Sequence, residues 1–289
     1  MSACKMTEMA GRGVVKAQGP DTHRLLQDIV TNDISRAQDG GAVHAALLTP
    51  QGKILFDFFL LDRGESILME TDRQAIPEFL KRLTFYKLRA DVTFEDVSDD
   101  YSVWVSWDGN PQLSGDVIAY ADPRLKGLGC RILAPAGTTP QTGCSPAEPD
   151  DYHEHRIALG IPESGLDYAP GDTFPHEADY DQLGSVDFKK GCYVGQEVVG
   201  RMQHRGTAKK RIVPVSGDKP LTAGVEIRAG DSSVGMLGSV SGKRGLAMVR
   251  LDRAAKALAN GTGLMAGDMA VTLHRPEWAD FDVPAAGTS

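Results

Sequence analysis

At Arg211 the texture of the chain changes, and the change limits what the chain can fold into. Beyond it lie short apolar runs with a glycine every few residues: VPVSG, VEIRAG, SSVGMLGSVSG and GLAMVRL. Runs of that length between turn residues read as antiparallel strands closing into a small barrel. Upstream, strand and helix periodicities alternate. Gly13 to Gln18 reads as a strand. Gly19-Pro20-Asp21-Thr22 then opens a helix with Leu25, Leu26 and Ile29 on one face and Asp21 or Thr22 as its cap. Ala42 to Thr49 and Ile54 to Leu61 are joined by the turn Pro50-Gln51-Gly52-Lys53, and Ser66 to Glu70 follows as a strand. Ile76, Phe79, Leu80 and Leu83 have amphipathic-helix spacing. Asp91 to Val97, Tyr101 to Trp107, Val117 to Ala121 and Cys130 to Ala134 read as further strands. Asp151 is expected to cap a helix that runs through Leu159 and stops at Gly160-Ile161-Pro162, and the tail after Trp278 to fray. The fold class is α+β followed by an antiparallel β-barrel.

A chain of 289 residues can bury a large core in two or three modules without disulfide staples. The four cysteines, Cys4, Cys130, Cys144 and Cys192, are sparse and form no Cys-x-x-Cys pair, so they read as reduced thiols. No apolar run approaches the ~20 residues of a membrane span, and the start lacks the apolar stretch of a secretory signal. A cytoplasmic protein with no membrane partner is expected.

The net charge of −8 hides an asymmetry. From Lys189 to Arg211 there are seven Lys or Arg and one acid, Glu197, so the strip is +6 and the remainder −14. Such a strip suits a small carboxylated ligand, or else is only a solvated edge. Tyr193 is its one aromatic residue, too few for single-strand stacking platforms, so no direct nucleic-acid partner is expected. His153 and His155 are two apart and cannot act as i, i+4 metal ligands.

The densest chemistry lies in Asp181 to Gly206, DQLGSVDFKKGCYVGQEVVGRMQHRG. Gly191 and Gly195 flank Cys192 and permit close backbone approach. Lys189 and Lys190 precede the thiol, and neighbouring cations favour a thiolate. Gln196 and Glu197 offer donors and acceptors to the amide-like edge of a heterocycle. The same residues also suit a small buried cysteine and the first turn of a helix.

The run KGCYVGQE, Lys190 to Glu197, resembles the signature of the YgfZ family of folate-binding proteins. These are relatives of the glycine cleavage T-protein, an aminomethyltransferase, that act in iron–sulfur protein biogenesis. Their mitochondrial counterparts are iron–sulfur assembly factors. LQDIVTNDI (26–34), TPQGKIL (49–55) with Asp57, RIALGIP (156–162), TFPHE (173–177) and LGSV (183–186) extend the likeness over almost the whole chain.

The resemblance implies a T-protein-like arrangement of three modules around a central opening. Residues 1–100 and 150–206 would form the folate-binding α+β modules, 101–149 a strand-rich part of the second, and 207–289 the barrel. It implies tetrahydrofolate as cofactor, and iron–sulfur assembly proteins or client enzymes as partners. Asn32, Asp57, Tyr193, Gln196, Glu197, Arg201 and Arg205 are the implied folate contacts, with Cys192 and Asp57 carrying the chemistry. Two departures from the T-protein stand out. Phe56-Asp57 replaces an Asp-Asp pair, and Ala158 stands where the T-protein has a pterin-anchoring Glu. Aminomethyl transfer is therefore the alternative, and folate-dependent iron–sulfur assembly the leading expectation.

Overall fold

The computed structural model describes residues 4–38, 40–206 and 208–285, with Arg205 described in its backbone only. The chain forms two compact units, residues 1–152 with 184–196 and residues 153–183 with 197–289. The segment carrying the signature thus returns to the first unit.

In the first unit one antiparallel sheet has the order Val43–Leu48, Ile54–Asp62, Ser66–Asp72, Arg12–Gln18, Thr93–Asp96. Successive side chains of a strand point to opposite faces. Phe58 and Leu60 accordingly join the core formed with helices Thr22–Ile29 and Ile76–Lys87, through Leu26, Ile29, Phe79 and Leu83. Phe59 and Leu61 join a different core, with Val103, Tyr120 and Leu133 of a second sheet. Burial on both faces explains why Ile54–Asp62 reads as a continuous apolar run. The second sheet has the order Ser145–Pro146, Lys5–Glu8, Tyr101–Trp107, Cys130–Pro135, Ile118–Ala121, parallel only in its first pair. Trp107 is buried in this unit.

Three local expectations are corrected. Asp21 precedes the first helix without capping it; its carboxylate accepts from the Asp91 amide at 2.8 Å. The helix expected to start at Asp151 is Pro149–Leu159, and Asp151 reaches back to the Glu148 amide at 3.0 Å. Proline is well placed there because the first-turn amides have no intrahelical partner. Cys4 and Cys144 form a disulfide, so only Cys130 and Cys192 remain thiols among the described residues. The pairing is invisible to local spacing because strand Lys5–Glu8 carries Cys4 beside Ser145, whose amide donates to the Cys4 carbonyl at 2.8 Å.

The bridge joins residues 140 apart. Closing so long a loop restricts the unfolded chain, so reduction should lower stability by about 2–4 kcal/mol. The check is the urea midpoint with and without dithiothreitol, and of Cys144→Ala. Unchanged midpoints would show that the bridge contributes nothing.

In the second unit six strands close an antiparallel barrel in the order Lys210–Gly217, Arg244–Arg250, Ser232–Ser241, Glu226–Ala229, Leu264–Ala266, Met269–Leu273. Val213, Val215, Ile227, Val234, Leu237 and Val249 fill it. The helix Leu251–Ala259 follows directly on a strand and packs Leu251, Ala254 and Leu258 onto that core. The described tail does not fray. Ala279 is buried, its carbonyl accepts from the Arg275 guanidinium at 2.6 and 2.9 Å, and Phe281 and Val283 pack against the barrel core. Among the described residues no helix is long and apolar enough to cross a membrane.

Candidate functional site

The signature loop is clamped to the first helix and the turn after it. A helix leaves its last carbonyls without intrahelical partners. Lys190, 9% exposed, donates its ammonium to the carbonyls of Gln27, Val30 and Asn32 at 2.7, 2.6 and 3.0 Å. The Asn32 amide donates to the carbonyls of His44 and Gly184 at 2.8 and 2.7 Å, and its oxygen accepts from the Asp33 amide. Thr31 donates to the Ser185 carbonyl at 2.8 Å, and the Asp187 amide to the Thr31 carbonyl at 3.0 Å. Asp187 accepts from the amides of Lys189 and Lys190 at 2.6 and 3.0 Å.

Gly195 has φ +80°, and a Cβ there would meet the Thr49 carbonyl oxygen at 2.6 Å. Only glycine lets KGCYVGQE lie against the TPQGKIL turn. Tyr193 is buried, its ring centroid 5.4 Å from the Lys190 ammonium, and burial pushes its phenol up from the usual value. Val194 packs against the core. Cys192, between these anchors, is exposed.

Asp57 lies in the same unit on strand Ile54–Asp62, 15% exposed. One carboxylate oxygen is 3.4 Å from His44 Nε2, and His44 Nδ1 is 2.7 Å from the Ser185 hydroxyl. Ser185–His44–Asp57 thus links the signature segment to the hairpin. Burial pushes His44 down, outweighing the bond to Asp57. Burial alone would raise Asp57, but the His44 bond and the charges of His44, Arg12 and Arg124 hold it at about 2.

Behind Asp57 is a buried ionic network. Glu70 accepts from Arg12 Nε at 2.9 Å, from Arg131 Nε at 2.9 Å, from a second Arg131 nitrogen and from the Tyr120 hydroxyl. Asp122 binds Arg124 at 2.7 and 3.0 Å. The guanidinium carbons of Arg12, Arg124 and Arg131 lie 5.8, 4.9 and 4.4 Å from the Phe59 ring centroid. Burial pushes Glu70 up, but Arg131 and Arg12 outweigh it and bring it to about 2.

Asp57 and Glu70 have folded pKa values of about 2, below the ordinary range near 4 of an unfolded chain. On acidification the unfolded chain takes up these protons first. Their stabilisation is therefore complete above about pH 5 and lost as pH falls through about 4 to 2. Urea midpoints across that range should fall steeply, and less steeply in Glu70→Gln.

The remaining expected residues do not join this cluster. Asn32, expected to meet a ligand, uses its amide on backbone groups instead. Gln196 and Glu197 begin the helix Gln196–Arg205, where Glu197 and Arg201 form an exposed i, i+4 pair at 2.6 Å. The side chain of Arg205 lies outside the described residues. The basic strip is likewise not one anion-binding face. Lys190 is bound to carbonyls. Arg211 is bound to Asp181 at 2.5 and 2.9 Å and to Asp179 at 3.3 Å. Lys190 is thus a clamp on the loop rather than the thiolate partner its position beside Cys192 suggested.

Sequence reasoning missed His44 and Ser185. The available signal was a polar ring inside the strand Val43–Leu48, which is buried at every position; a buried polar group needs a partner. Among the described residues no group of three or more His, Cys, Asp or Glu could hold a metal ion. For a reduced folate, the donor set fits at one point. Asp57 offers an ionised, part-exposed carboxylate, which suits the N–H-rich edge of a pterin.

Residues 1–105 match the GCVT N-terminal domain, and residues 209–281 match the C-terminal β-barrel domain of CAF17. The iron–sulfur cluster assembly factor IBA57 of Mus musculus is 32% identical over 279 residues, covering 83% of this chain and 76% of that protein. The chain belongs to the IBA57 family. The Homo sapiens IBA57 is 31% identical over 269 residues, covering 83% of this chain and 75% of that one. An IBA57 homologue of Mycosarcoma maydis is 34% identical over 232 residues, 74% of this chain. The chain spans little more than half the length of that relative, 58%. All three are named mitochondrial, which overturns the expectation of a cytoplasmic location. The glycine cleavage system aminomethyltransferase T from Bartonella henselae superposes with a TM-score of 0.75 at 14% identity, over 99% of this chain and 88% of that one. This IBA57-family chain therefore has the aminomethyltransferase-like α+β fold with a C-terminal antiparallel β-barrel.

Proposed function

We propose that this chain acts in the assembly or repair of iron–sulfur proteins, binding tetrahydrofolate at Asp57 and presenting Cys192 to a protein partner, in the manner of YgfZ-type proteins. The observation that carries the reading is the exposed Cys192 thiol at the tip of a loop whose neighbours are engaged: Lys190 on three carbonyls, Tyr193 buried, Gly195 against Thr49. So firm an anchorage presents one reactive group at a fixed place. Iron–sulfur clusters typically take four thiolates, so one thiol completes a site only with ligands from an assembly protein or a client enzyme. A bound tetrahydrofolate supplies a carrier for one-carbon units. Asp57 would orient its pterin edge, with Ser185 and His44 holding the carboxylate. In a deletion strain Cys192→Ala should accumulate normally yet fail to restore iron–sulfur enzyme activities. Full restoration would remove the thiol from the account.

The state of Asp57 favours a second reading, one-carbon transfer from an amine. A carboxylate with a pKa of about 2 is a weak base at neutral pH, but it can hold a cationic amine in place. That reading expects methylene-tetrahydrofolate from methylamine or aminomethyl donors. No product from any of them would leave the assembly reading alone.

A further inference from the structure

The end of the helix Ile76–Lys87 departs from the rest of the first unit. Its inner face buries Ile76, Phe79 and Leu83. Its last turn then presents Phe85, 67% exposed and edge-on to Tyr86 at 5.6 Å, followed by Leu88, 85% exposed. Leu88 follows the last helical residue with φ 47° and ψ −105°. That is backbone at which glycine is the usual residue, and a branched side chain is strained there. Its side chain gains little burial within the chain to offset the strain.

The charge is equally local. From Phe79 to Ala90 there are four cations, Lys81, Arg82, Lys87 and Arg89, and no acid, while the rest of the chain sums to −12; Lys81 pairs with the preceding Glu78 at 3.5 Å, which leaves Arg82, Lys87 and Arg89 as the cations of the last turn and the residues after it. The helix macrodipole accounts for cations near a C-terminus. It does not account for an exposed phenylalanine and a strained, exposed leucine among them. Aromatic and arginine side chains are the residues enriched at protein interfaces.

We infer that Phe85 and Leu88, ringed by Arg82, Lys87 and Arg89, form a docking knob for a partner protein whose surface carries an apolar pocket rimmed by carboxylates. Charge complementarity selects an acidic partner. A membrane is disfavoured on two counts. Interfacial helices bury a broad apolar face, whereas this helix turns its apolar face into its own core. The −12 elsewhere also opposes an anionic bilayer. The inference is independent of folate binding.

The test places a photo-crosslinking amino acid at position 88 of the full chain in its native cell, with a control at exposed Leu166. Captured contact peptides are then sequenced. Adducts at 88 should fall on segments rich in Asp and Glu, exceed the control at least tenfold, and be lost in the background Lys87→Glu/Arg89→Glu. Purified Leu88→Gly should keep or raise its melting temperature. Lipid adducts, contact with neutral or basic segments, or labelling no greater than at Leu166 would overturn the proposal. So would a lowered melting temperature in Leu88→Gly, which would show that the chain itself holds the leucine.

Discussion

Replacing Glu70 with alanine should cost about 3–5 kcal/mol of folding stability, because it leaves the buried Arg131 guanidinium, the part-buried Arg12 guanidinium and a phenol without their shared acceptor. The carboxylate is wholly buried and bonds to Arg12, Arg131 and Tyr120. Arg12 and Glu70 belong to the first sheet of the unit, Tyr120 and Arg131 to the second. The network therefore joins sheets whose apolar core is modest, with Val14, Phe59, Leu61 and Leu68 against Val103, Tyr120 and Leu133. Tyr120→Phe should cost less, about 1.5–3 kcal/mol, since it removes one hydrogen bond to a charged group. A double variant Glu70→Ala/Arg131→Met should recover part of the single variant's loss, because the largest penalty is the guanidinium left unpaired. Urea denaturation measures all three. A Glu70→Ala loss below about 1 kcal/mol would mean that water reaches the network and satisfies it.

Replacing Lys190 with methionine should loosen the signature loop. Methionine fills a similar volume and donates nothing, so the carbonyls of Gln27, Val30 and Asn32 lose one donor each. The cost is about 1–3 kcal/mol for each carbonyl that stays dry. Lys190→Arg should not rescue it, because a planar guanidinium cannot meet three carbonyls gathered around one point. Limited proteolysis should show cleavage within residues 184–196 well before the barrel is attacked. Wild-type resistance in Lys190→Met would assign the clamp to Asn32 and Thr31 alone.

Much of the fold was legible because periodicity is local. The apolar runs of Ile54–Asp62 and Tyr101–Trp107, and the glycine punctuation after Arg211, follow from how buried strands are composed and where they turn. The helix Leu251–Ala259 was not read, because GLAMVRL runs into it without a glycine or proline to mark a boundary. The Cys4–Cys144 bridge and the Glu70 network were illegible for a different reason. Their partners are 140 and 50–61 residues apart and meet only when strands pair.

At the candidate site, Cys192 and Asp57 came from motif likeness, and the structure places both in one unit. What the likeness could not show was the use of each polar group. In the sequence Lys190 looks like a thiolate partner and Asn32 like a ligand-binding residue. Their side chains instead complete the end of the helix Thr22–Ile29 and its following strand, where carbonyls need donors whether or not a ligand is present. His44 was overlooked because its apolar neighbours hid it.

Calorimetric titration with tetrahydrofolate decides whether Asp57 binds a reduced folate, as proposed. Wild-type protein should bind with one-to-one stoichiometry. Asp57→Ala should bind at least tenfold more weakly, the effect of losing a charge-assisted hydrogen bond of about 1.5–3 kcal/mol. Absence of heat with the wild type, or equal affinity in both proteins, would contradict it.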